Sequence, residues 1–381
     1  MKNPFCPYTL PLDAPFCNRI TELKELEAFA LSGSNVVLYS PRRYGKTSLV
    51  LRVQRNLAEK HGAITVFADF YGVTSIDDIA ARMAKAVFAV THRNEPLWKI
   101  ALRTIRSFRV VMKPDAESGV SLSVEPASSG KYGLPLLEET MESLGEFIDQ
   151  SESLVNIVLD EFQEIVELKE SLQVEAAMRT RIQHQKASYF FVGSRRRILL
   201  GMFNERQRPF FQSAFNYELP ALPEEELAGF VAALFDSNGK KCPREMALKL
   251  VRTVSCHPQY VQKLAYLVFE AAEKVVDETT IRDCLMRMLK MEEPFFEMMI
   301  QGLSLQQKLI LRTVAIEPTT QPMAANYIAK YRLGSAGGVR HSLIQLEDLD
   351  LVEKEKTSER WRVVDPIFAL YLRLKDVGML P

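Results

Sequence analysis

Residues 35–48 read Asn-Val-Val-Leu-Tyr-Ser-Pro-Arg-Arg-Tyr-Gly-Lys-Thr-Ser, and this stretch decides the fold. Asn35–Tyr39 contains a short apolar run, which is typical of a strand buried on both faces. Gly45 ends a turn, and a helix is predicted from Lys46 to about Lys60. This order of buried strand, glycine-containing turn and helix is that of the phosphate-binding motif GxxxxGK[ST].

The turn has the residue types that phosphate binding requires. Backbone N–H groups and a helix N-terminus surround the β-phosphate, so the loop needs a glycine for close approach, and Gly45 supplies it. Lys46 is predicted to reach the β- and γ-phosphate oxygens of ATP, and the Thr47 hydroxyl to ligate Mg²⁺. Ser40 replaces the first glycine of the motif, which a serine can do if its φ is negative. The flanking strand and helix disfavour the alternative, a chance Gly-Lys-Thr in a turn. The predicted nucleotide contacts of this loop are Pro41, Arg42, Arg43, Tyr44, Gly45, Lys46, Thr47 and Ser48.

A second segment, Val155–Glu161, is an apolar strand that ends in two carboxylates. Because burying carboxylates in a core is costly, we expect them to emerge at the carboxyl end of the strand. There Asp160 is predicted to hold Mg²⁺, directly or through water, and Glu161 to polarise the water that attacks the γ-phosphate. Lys46 and Glu161 are therefore the predicted catalytic residues. The alternative is an exposed acidic turn that opens a helix over Phe162–Glu170.

The next apolar strand, Tyr189–Val192, is followed by Gly193 and Ser194. A small polar group at this strand end is suited to sense the γ-phosphate, and Ser194 is the candidate. Several arginines follow, and such basic runs usually form a solvated face. Each side chain is predicted either to contact phosphate, the nucleotide of an adjacent subunit or an acidic partner, or to lie on the solvated face. The residues concerned are Arg195, Arg196, Arg197, Arg206 and Arg208.

Strands alternate with helices through the first 222 residues. We predict helices over Ile20–Leu31, Ile76–Val90 and Leu134–Gln150, and further strands over Ala63–Phe70, Leu154–Leu159 and Tyr217–Leu219. The five strands together predict a three-layer α/β domain with a parallel sheet. Ligands of such sheets bind at the carboxyl ends of the strands.

Residues 106–125 interrupt this alternation. Ser107–Lys113 and Gly119–Glu125 alternate apolar and polar residues, and Pro114–Ser118 turns between them. The pattern predicts a half-exposed antiparallel hairpin. We expect it to be an insertion rather than part of the parallel sheet.

From Pro223 onward the pattern is helical. Pro223 suits a first helical position and Gly239 a helix end, and further helices are predicted over Arg244–Val254, Pro258–Val275 and Thr279–Leu289. After two or three more helices, Trp361–Val364 is a short strand, which completes a winged-helix pattern. The predicted domains are a core at 1–222, a helical lid at 223–301 and a winged helix at 302–381.

The composition is that of a globular protein with several domains. Lys plus Arg number 48 and Asp plus Glu number 48, so no global field draws the chain to nucleic acid or to an anionic membrane. The five cysteines are scattered and lack a CxxC pair, which argues against a disulfide framework and a zinc site. The N-terminal segment is not a signal peptide, and no apolar run approaches the roughly 18 residues that span a bilayer. A cytoplasmic location is expected.

Four segments resemble the archaeal-type ATPases of the STAND branch of AAA-related P-loop NTPases, which also occur in bacteria. The segments are Phe16–Leu23, Ser40–Ser48, Leu159–Glu164 and Val192–Arg195. His257–Gln262 is similar to the lid segment of that family. The resemblance implies an ASCE-type P-loop NTPase domain, then a helical lid and a C-terminal winged helix.

The resemblance also implies further site residues. Phe16–Leu23 is expected to pack beside the adenine base, with Phe16 and Arg19 as nucleotide contacts. His257 and Pro258 are expected to sense the nucleotide from the lid, although a hydrogen-bonded structural histidine is the alternative for His257. The hairpin is then a family insertion, and ATP and Mg²⁺ are the cofactors.

The leading functional hypothesis is a nucleotide-controlled switch. A Mg²⁺-dependent ATPase whose γ-phosphate contacts two movable domains changes their arrangement on hydrolysis. We expect hydrolysis to be slow unless a protein partner or self-association completes the site. A non-hydrolysing scaffold is disfavoured, because Lys46 and Glu161 are both present.

The competing hypothesis is a DNA-binding regulator with a secondary nucleotide site. Its recognition helix would be about Ala336–Leu346, where Arg340 and His341 are the only basic side chains. DNA binding usually requires several phosphate-neutralising cations, so a protein-facing winged helix is favoured. An alternative basic surface would consist of Arg103, Arg106, Arg109 and Lys113.

Overall fold

The computed structural model describes residues 2–8, 10–92, 94–115, 119–127, 131–355 and 358–378. The chain divides into two compact units. One unit is Arg19–Pro220, and the other combines Met1–Asn18 with Ala221–Pro381. Residues 1–18, which the sequence assigned to the core domain, therefore lie with the helical unit. The separate lid and winged-helix domains remain a prediction.

The unit Arg19–Pro220 is an α/β unit with a 3-10 helix over Phe162–Glu167. Its strands are β1 (Val36–Tyr39), β2 (Ile64–Asp69), β3 (Phe108–Asp115), β4 (Gly119–Pro126), β5 (Val155–Asp160), β6 (Ser188–Gly193) and β7 (Phe215–Glu218). Its helices are α1 (Ile20–Leu31), α2 (Lys46–His61), α3 (Ile76–Thr91), α4 (Glu95–Thr104), α5 (Leu134–Ser151), α6 (Ser171–Ile182) and α7 (Arg196–Asn204).

Five of these strands form one parallel sheet in the order β2-β5-β6-β1-β7. The register sets Tyr39 beside Gly193 and Asp69 beside Asp160. The carboxyl ends of the strands consequently meet at one edge, which is where the loop after β1 begins. The predicted five-stranded parallel α/β fold is confirmed.

A buried polar network fixes the middle of this sheet. Gln54 of α2 donates through Nε2 to the Val66 carbonyl at 2.9 Å and to Asn156 Oδ1 at 3.1 Å. Asn156 Nδ2 in turn donates to Ser188 Oγ at 2.9 Å. Because buried polar groups must be paired, this network ties α2 to one alignment of β2, β5 and β6.

The predicted hairpin is present as a separate two-stranded sheet. β3 and β4 pair antiparallel from Phe108 opposite Pro126 to Asp115 opposite Gly119. Phe108 is buried in the apolar core of the α/β unit and anchors the base of the hairpin. Residues 116–118 of the predicted turn lie outside the described residues.

Three helices of the α/β unit, α4, α6 and α7, were not predicted from the sequence. Helix α4 has a clear start, since the Asn94 side chain accepts from the Leu97 N–H at 3.2 Å. Helices α6 and α7 lack a side-chain N-cap. Tertiary contacts stabilise both helices instead, because Val174, Met178 and Leu199 are buried in the same apolar cluster as the sheet.

The helical unit contains the predicted winged-helix pattern at its end. Its elements are α8 (Glu224–Ser237), α9 (Arg244–Thr253), α10 (Pro258–Ala271), α11 (Glu278–Gln301), α12 (Leu305–Ile316), α13 (Ala325–Tyr331), α14 (Ala336–Asp348), β8 (Val352–Lys354), β9 (Trp361–Val363) and α15 (Pro366–Asp376). β8 and β9 form an antiparallel wing. A complete capping box between Ser304 and Gln307 starts α12.

Two predicted helix ends in this unit were wrong. Helix α10 ends at Ala271 rather than Val275, because the following chain turns to pair with Lys241 at Val275. Helix α11 continues past Leu289 to Gln301 with Pro294 inside it. Its second half is stabilised by Phe296, which is fully buried against the rings of Phe368 and Tyr371.

The N-terminal arm packs on the helical unit through one ring. Phe5 lies 5.1 Å from the Phe235 ring and 6.2 Å from the Phe269 ring, centroid to centroid. The Cys6 N–H donates to Gln262 Oε1 at 2.9 Å. These contacts explain why the arm belongs with helices far along the sequence.

Two observations concern the cysteines and the length of the helices. Each of the five cysteines lies in the described part of the chain, and none of them forms a disulfide there. Among the described residues, no helix has both the length and the apolar character that crossing a membrane requires.

Candidate functional site

The loop between β1 and α2 has the backbone that the motif predicts. Gly45 adopts a left-handed conformation, φ 88° and ψ 21°, directly before α2. A Cβ at Gly45 would meet nothing within 4 Å, so the backbone angle rather than space requires glycine there. Arg43 is also left-handed, with φ 66°. Ser40 keeps a negative φ and is fully buried, which is the condition for a serine in place of the first glycine.

The Lys46 ammonium lies within the loop. Its Nζ donates to the carbonyls of Ser40 and Pro41 at 3.0 and 3.1 Å, and Lys46 is 5% exposed. Burying a cation is costly unless it is paired or hydrogen-bonded, and these two carbonyls are among the partners of the ammonium. The side chain therefore places a positive charge inside the loop.

Thr47 and Asp160 join the loop to the neighbouring strand end. The Thr47 hydroxyl donates to Asp160 Oδ2 at 2.7 Å. Burial raises the pKa of Asp160 to about 6, against the lowering effect of the Thr47 hydrogen bond, and the charge of Glu161 raises it further. A carboxyl in this state gains from a cation placed beside it.

Glu161 is held by two side chains. Gln163 Nε2 donates to Glu161 Oε2 at 2.5 Å, and Ser194 Oγ donates to the same oxygen at 3.1 Å. The Glu161 backbone is left-handed, φ 50°, which is uncommon for a residue with a side chain. Ser194 is buried at the end of β6. Hydrogen bonds thus connect Thr47, Asp160, Glu161 and Ser194, and Lys46 precedes Thr47 in helix α2.

Gln163 and Gly193 were missed in the sequence. Gln163 is fully buried, and a Cβ added to Gly193 would lie 1.9 Å from Gln163 Oε1. Their sequence signals, a glutamine after Asp-Glu-Phe and a glycine before Ser194, were visible within quoted segments. Their proximity depends on the register of β5 and β6, which no local pattern encodes.

Asp69 is a further acidic residue beside the site. It ends β2, is exposed, and pairs in register with Asp160. Its charge contributes to the raised pKa of Asp160.

The predicted arginines have different environments. Arg195 pairs with Glu167 at 2.5 Å, and Arg196 approaches Glu218 at 3.9 Å. Arg208 pairs with Glu175, whose side chain is fully buried and whose pKa burial raises to about 7. Exposed positions are occupied by Arg42, Arg43, Arg197 and Arg206. A phosphate contact by any of these side chains remains a prediction.

The residues assigned by resemblance fall in both compact units. Arg19 is buried, has φ 71° and pairs with Glu22 at 2.6 Å within the α/β unit. Phe16 is half-buried and belongs to the helical unit. So do His257 and Pro258, where the His257 ring lies 4.7 Å from the Tyr260 ring at the start of α10. Their predicted nucleotide contacts stay predictions.

Magnesium fits the donors at the Thr47–Asp160 contact. A hydroxyl and a carboxylate are hard oxygen ligands of the kind that Mg²⁺ prefers. Within the described ranges, no group of three or more His, Cys, Asp or Glu side chains is arranged to hold a metal. Mg²⁺ at these two donors would need further oxygen ligands, such as phosphate oxygens and water, to complete its coordination shell.

Comparison with known families supports the C-terminal part of the fold. Residues 294–374 match a family model described as "Probable winged helix domain". A search of curated proteins finds no match.

Comparison with solved structures supports the whole architecture. The walker-type ATPase PABY2304 of Pyrococcus abyssi is 14% identical, with a TM-score of 0.68 over 94% of this chain and 96% of that one. The ORC2 protein of Aeropyrum pernix, in ADPNP-ADP complexes, is 14% identical, with a TM-score of 0.59 over 99% and 98%. The ORC1 protein of Aeropyrum pernix, in complex with DNA, is 15% identical, with a TM-score of 0.52 over 98% and 97%.

At such low identities these similarities concern the fold. The chain has the α/β fold of P-loop ATPases with a C-terminal winged helix, as predicted. The fold is the one that the resemblance to archaeal-type ATPases implied.

Proposed function

We propose that the protein binds ATP with Mg²⁺ at residues 40–48 and hydrolyses it, acting as a nucleotide-controlled switch. The observation that carries the proposal is the 2.7 Å bond between Thr47 Oγ1 and Asp160 Oδ2. It joins the glycine loop to the acidic strand end beside a buried Lys46 ammonium. The ADPNP-ADP complexes of the ORC2 protein, which shares the fold, support the choice of an adenine nucleotide.

Binding follows from the groups of the loop. Gly45 lets the backbone approach a phosphate, and its neighbours Pro41–Ser48 surround it. Lys46 exchanges its carbonyl partners for the β- and γ-phosphate oxygens. Thr47 and Asp160 would hold Mg²⁺, which neutralises charge on the phosphate oxygens. Asp160 must be ionised to do so, so affinity for the metal decreases as the pH falls below about 6.

Hydrolysis is assigned to the Glu161 carboxylate. It accepts a proton from the attacking water, while Ser194, hydrogen-bonded to it at 3.1 Å, is placed to respond to the γ-phosphate. We assign the adenine contact to Phe16 and Arg19. His257 and Pro258 are assigned to sensing in the lid.

The switch would use the predicted domains. A lid at 223–301 and a winged helix at 302–381 would change position with the state of the γ-phosphate. We propose that a protein partner or self-association accelerates hydrolysis. The five cysteines, all among the described residues, form no disulfide, which supports a cytoplasmic location.

Turnover and binding of ATP test the proposal together. Lys46→Ala is expected to abolish both, whereas Glu161→Gln is expected to retain ATP binding and to lose at least about a hundredfold in turnover. Lys60→Ala is the matched control, because this lysine lies at the exposed far end of the same helix. Calorimetry and phosphate release give the two quantities. Unchanged turnover in both site variants contradicts the assignment.

The second candidate, a DNA-binding regulator, is favoured by one observation, the DNA complex of the ORC1 protein. Helix α14 exposes Arg340 and His341, but Asp348 is exposed near its C-terminal end. Specific DNA binding normally involves several cations, so we favour a protein-facing winged helix. A mobility-shift assay with duplex DNA at low salt separates the two functions: binding that disappears in Arg340→Ala supports the DNA function, and no binding removes it.

A further inference from the structure

Gln163 has an unusual hydrogen-bonding state. It is fully buried, and its Nε2 donates to Glu161 Oε2 at 2.5 Å. An ionised carboxylate can only accept hydrogen bonds, so the amide nitrogen must face Glu161 and the amide oxygen must face away. Among the described residues, Oε1 has no hydrogen-bond partner although it is buried.

Such an unpaired acceptor is destabilising, and folded proteins contain few of them. An apolar side chain of similar size at position 163 would avoid the penalty. Stability of the fold therefore does not explain why position 163 has an amide side chain. Its one bond goes to Glu161, the residue to which we assign hydrolysis.

Gly193 makes room for this amide. A Cβ at Gly193 would lie 1.9 Å from Gln163 Oε1 and 3.1 Å from both Gln163 Cδ and Leu199 Cδ2. The φ of Gly193 is not positive, so its backbone angle would accept a side chain. Space alone requires glycine at this position. The last residue of β6 is thus matched to a side chain on the 3-10 helix after β5.

The same arrangement selects one oxygen of Glu161. The shorter bonds from Gln163 and Ser194, 2.5 and 3.1 Å, both end on Oε2. Oε1 has only a longer contact, 3.4 Å, with the Ser194 hydroxyl. With Oε2 occupied by two donors, Oε1 is the oxygen left to accept a proton from water.

We propose that Gln163 is a positioning residue for Glu161 and that Gly193 exists to admit its amide. The proposal rests on the proposed hydrolysis and states how the base is oriented. Gln163 and Gly193 act as one unit, so damage to either leaves the Glu161 carboxylate held by the Ser194 hydroxyl alone, while the phosphate loop is untouched.

The kinetic test uses substitutions on each side of this contact. Gln163→Leu and Gly193→Ala are each expected to lower kcat on the order of tenfold to a hundredfold, as is typical for residues that orient a catalytic group. KM for ATP and the affinity for ADP should stay within about twofold, because neither residue lies in the loop. A purely structural role predicts instead that the folded variants keep the wild-type kcat as well as the wild-type KM.

The folding test needs no nucleotide. Gly193→Ala should lower the urea midpoint of the wild-type chain but have a much smaller effect in a Gln163→Ala background, since the colliding amide is gone. Gly229→Ala is the control, because it lies in a helix with nothing within 4 Å of an added Cβ and should be additive with Gln163→Ala.

The outcomes distinguish failure of the Gln163–Gly193 contact, failure of its positioning role and failure of the proposed hydrolysis. Additive effects of Gly193→Ala and Gln163→Ala on the urea midpoint overturn the Gln163–Gly193 unit, whatever the turnover. If the effects of Gly193→Ala and Gln163→Ala on the urea midpoint are not additive but Gln163→Leu has a normal kcat, the positioning role alone is overturned. If those effects are not additive but the wild-type protein has no ATP turnover, the proposed function is removed, and the contact of Gln163 with Gly193 then has no catalytic role.

Discussion

Asn in place of Asp160 should stabilise the protein near neutral pH. Burial raises the pKa of Asp160 from 3.8 to about 6. Because the folded pKa lies above the unfolded one, the folded protein binds more protons between these values, and stability falls as the pH rises through this range. One pKa unit corresponds to about 1.4 kcal/mol, so the ionised carboxylate costs the folded state about 3 kcal/mol above pH 6.

Asp160→Asn removes this cost and keeps the shape of the side chain. We expect the variant to gain up to about 3 kcal/mol at about pH 8 and almost nothing near pH 3, where the wild-type carboxyl is protonated in the folded state and largely protonated in the unfolded state. Urea unfolding across this pH range, without nucleotide or Mg²⁺, measures the difference. Added MgATP should then stabilise the wild type more than the variant, because the variant has lost the carboxylate ligand of the metal and keeps only the Thr47 hydroxyl.

Asp69→Asn is the control for this series. Asp69 is the register partner of Asp160 on the neighbouring strand but is exposed, so its replacement should change stability by less than about 0.5 kcal/mol. A stability gain in Asp160→Asn that is constant from acid to alkaline pH would refute the reasoning, since it could not come from ionisation. A loss at about pH 8 would refute it more directly.

Three further substitutions test other parts of the structure. Thr47→Val should lower MgATP turnover about a hundredfold while Thr47→Ser, which keeps the hydroxyl, retains most of it in the same phosphate-release assay. Arg208→Ala should destabilise the fold by about 3 kcal/mol at about pH 8 and by less at pH 6, where the buried Glu175 carboxyl takes up a proton. Urea unfolding measures both losses, and equal losses at the two pH values would contradict this. Phe5→Ala should cost about 3 kcal/mol because its ring is 3% exposed, while Tyr8→Ala, at a position 79% exposed, should cost less than about 1 kcal/mol in thermal unfolding.

The fold was readable from the sequence where one short segment carried the signal. Strands β1, β5 and β6 are buried on both faces, so each appears as a mainly apolar run, which Asn156 interrupts in β5, and polar residues follow it. Asp160 and Ser194 therefore lie at the carboxyl edge of the sheet, where the loop that leads to Lys46 begins. That part of the site follows from the strand pattern together with the Gly-Lys-Thr motif.

Other features depend on contacts between distant segments. Pro294 would ordinarily interrupt a helix, because it lacks an N–H and clashes with the preceding turn. Helix α11 nevertheless continues through it, since Glu297 bonds to the Tyr371 hydroxyl and Lys375 ammonium of α15, each at 2.7 Å. The stabilising partners lie about 80 residues away in sequence, beyond any local pattern.

The contact of Gln163 with Gly193 escaped prediction for a similar reason. Each residue is unremarkable in its own segment, and only the lateral alignment of β5 with β6 brings them together. The space that Gly193 leaves for the Gln163 amide depends on how the two segments pack, and the presence of a glycine in the sequence does not reveal it.

The arm that carries Phe5 has a consequence for the order of events on the ribosome. Residues 19–220 can assemble a complete core as soon as they emerge, because every strand of the main sheet lies among them. The first 18 residues must wait, since the Phe235 and Phe269 rings that receive Phe5 are made more than two hundred residues later. At roughly 5–20 residues per second that delay is on the order of 10–50 s. A chaperone that captures exposed nascent aromatic segments should therefore meet this arm before its own helices do.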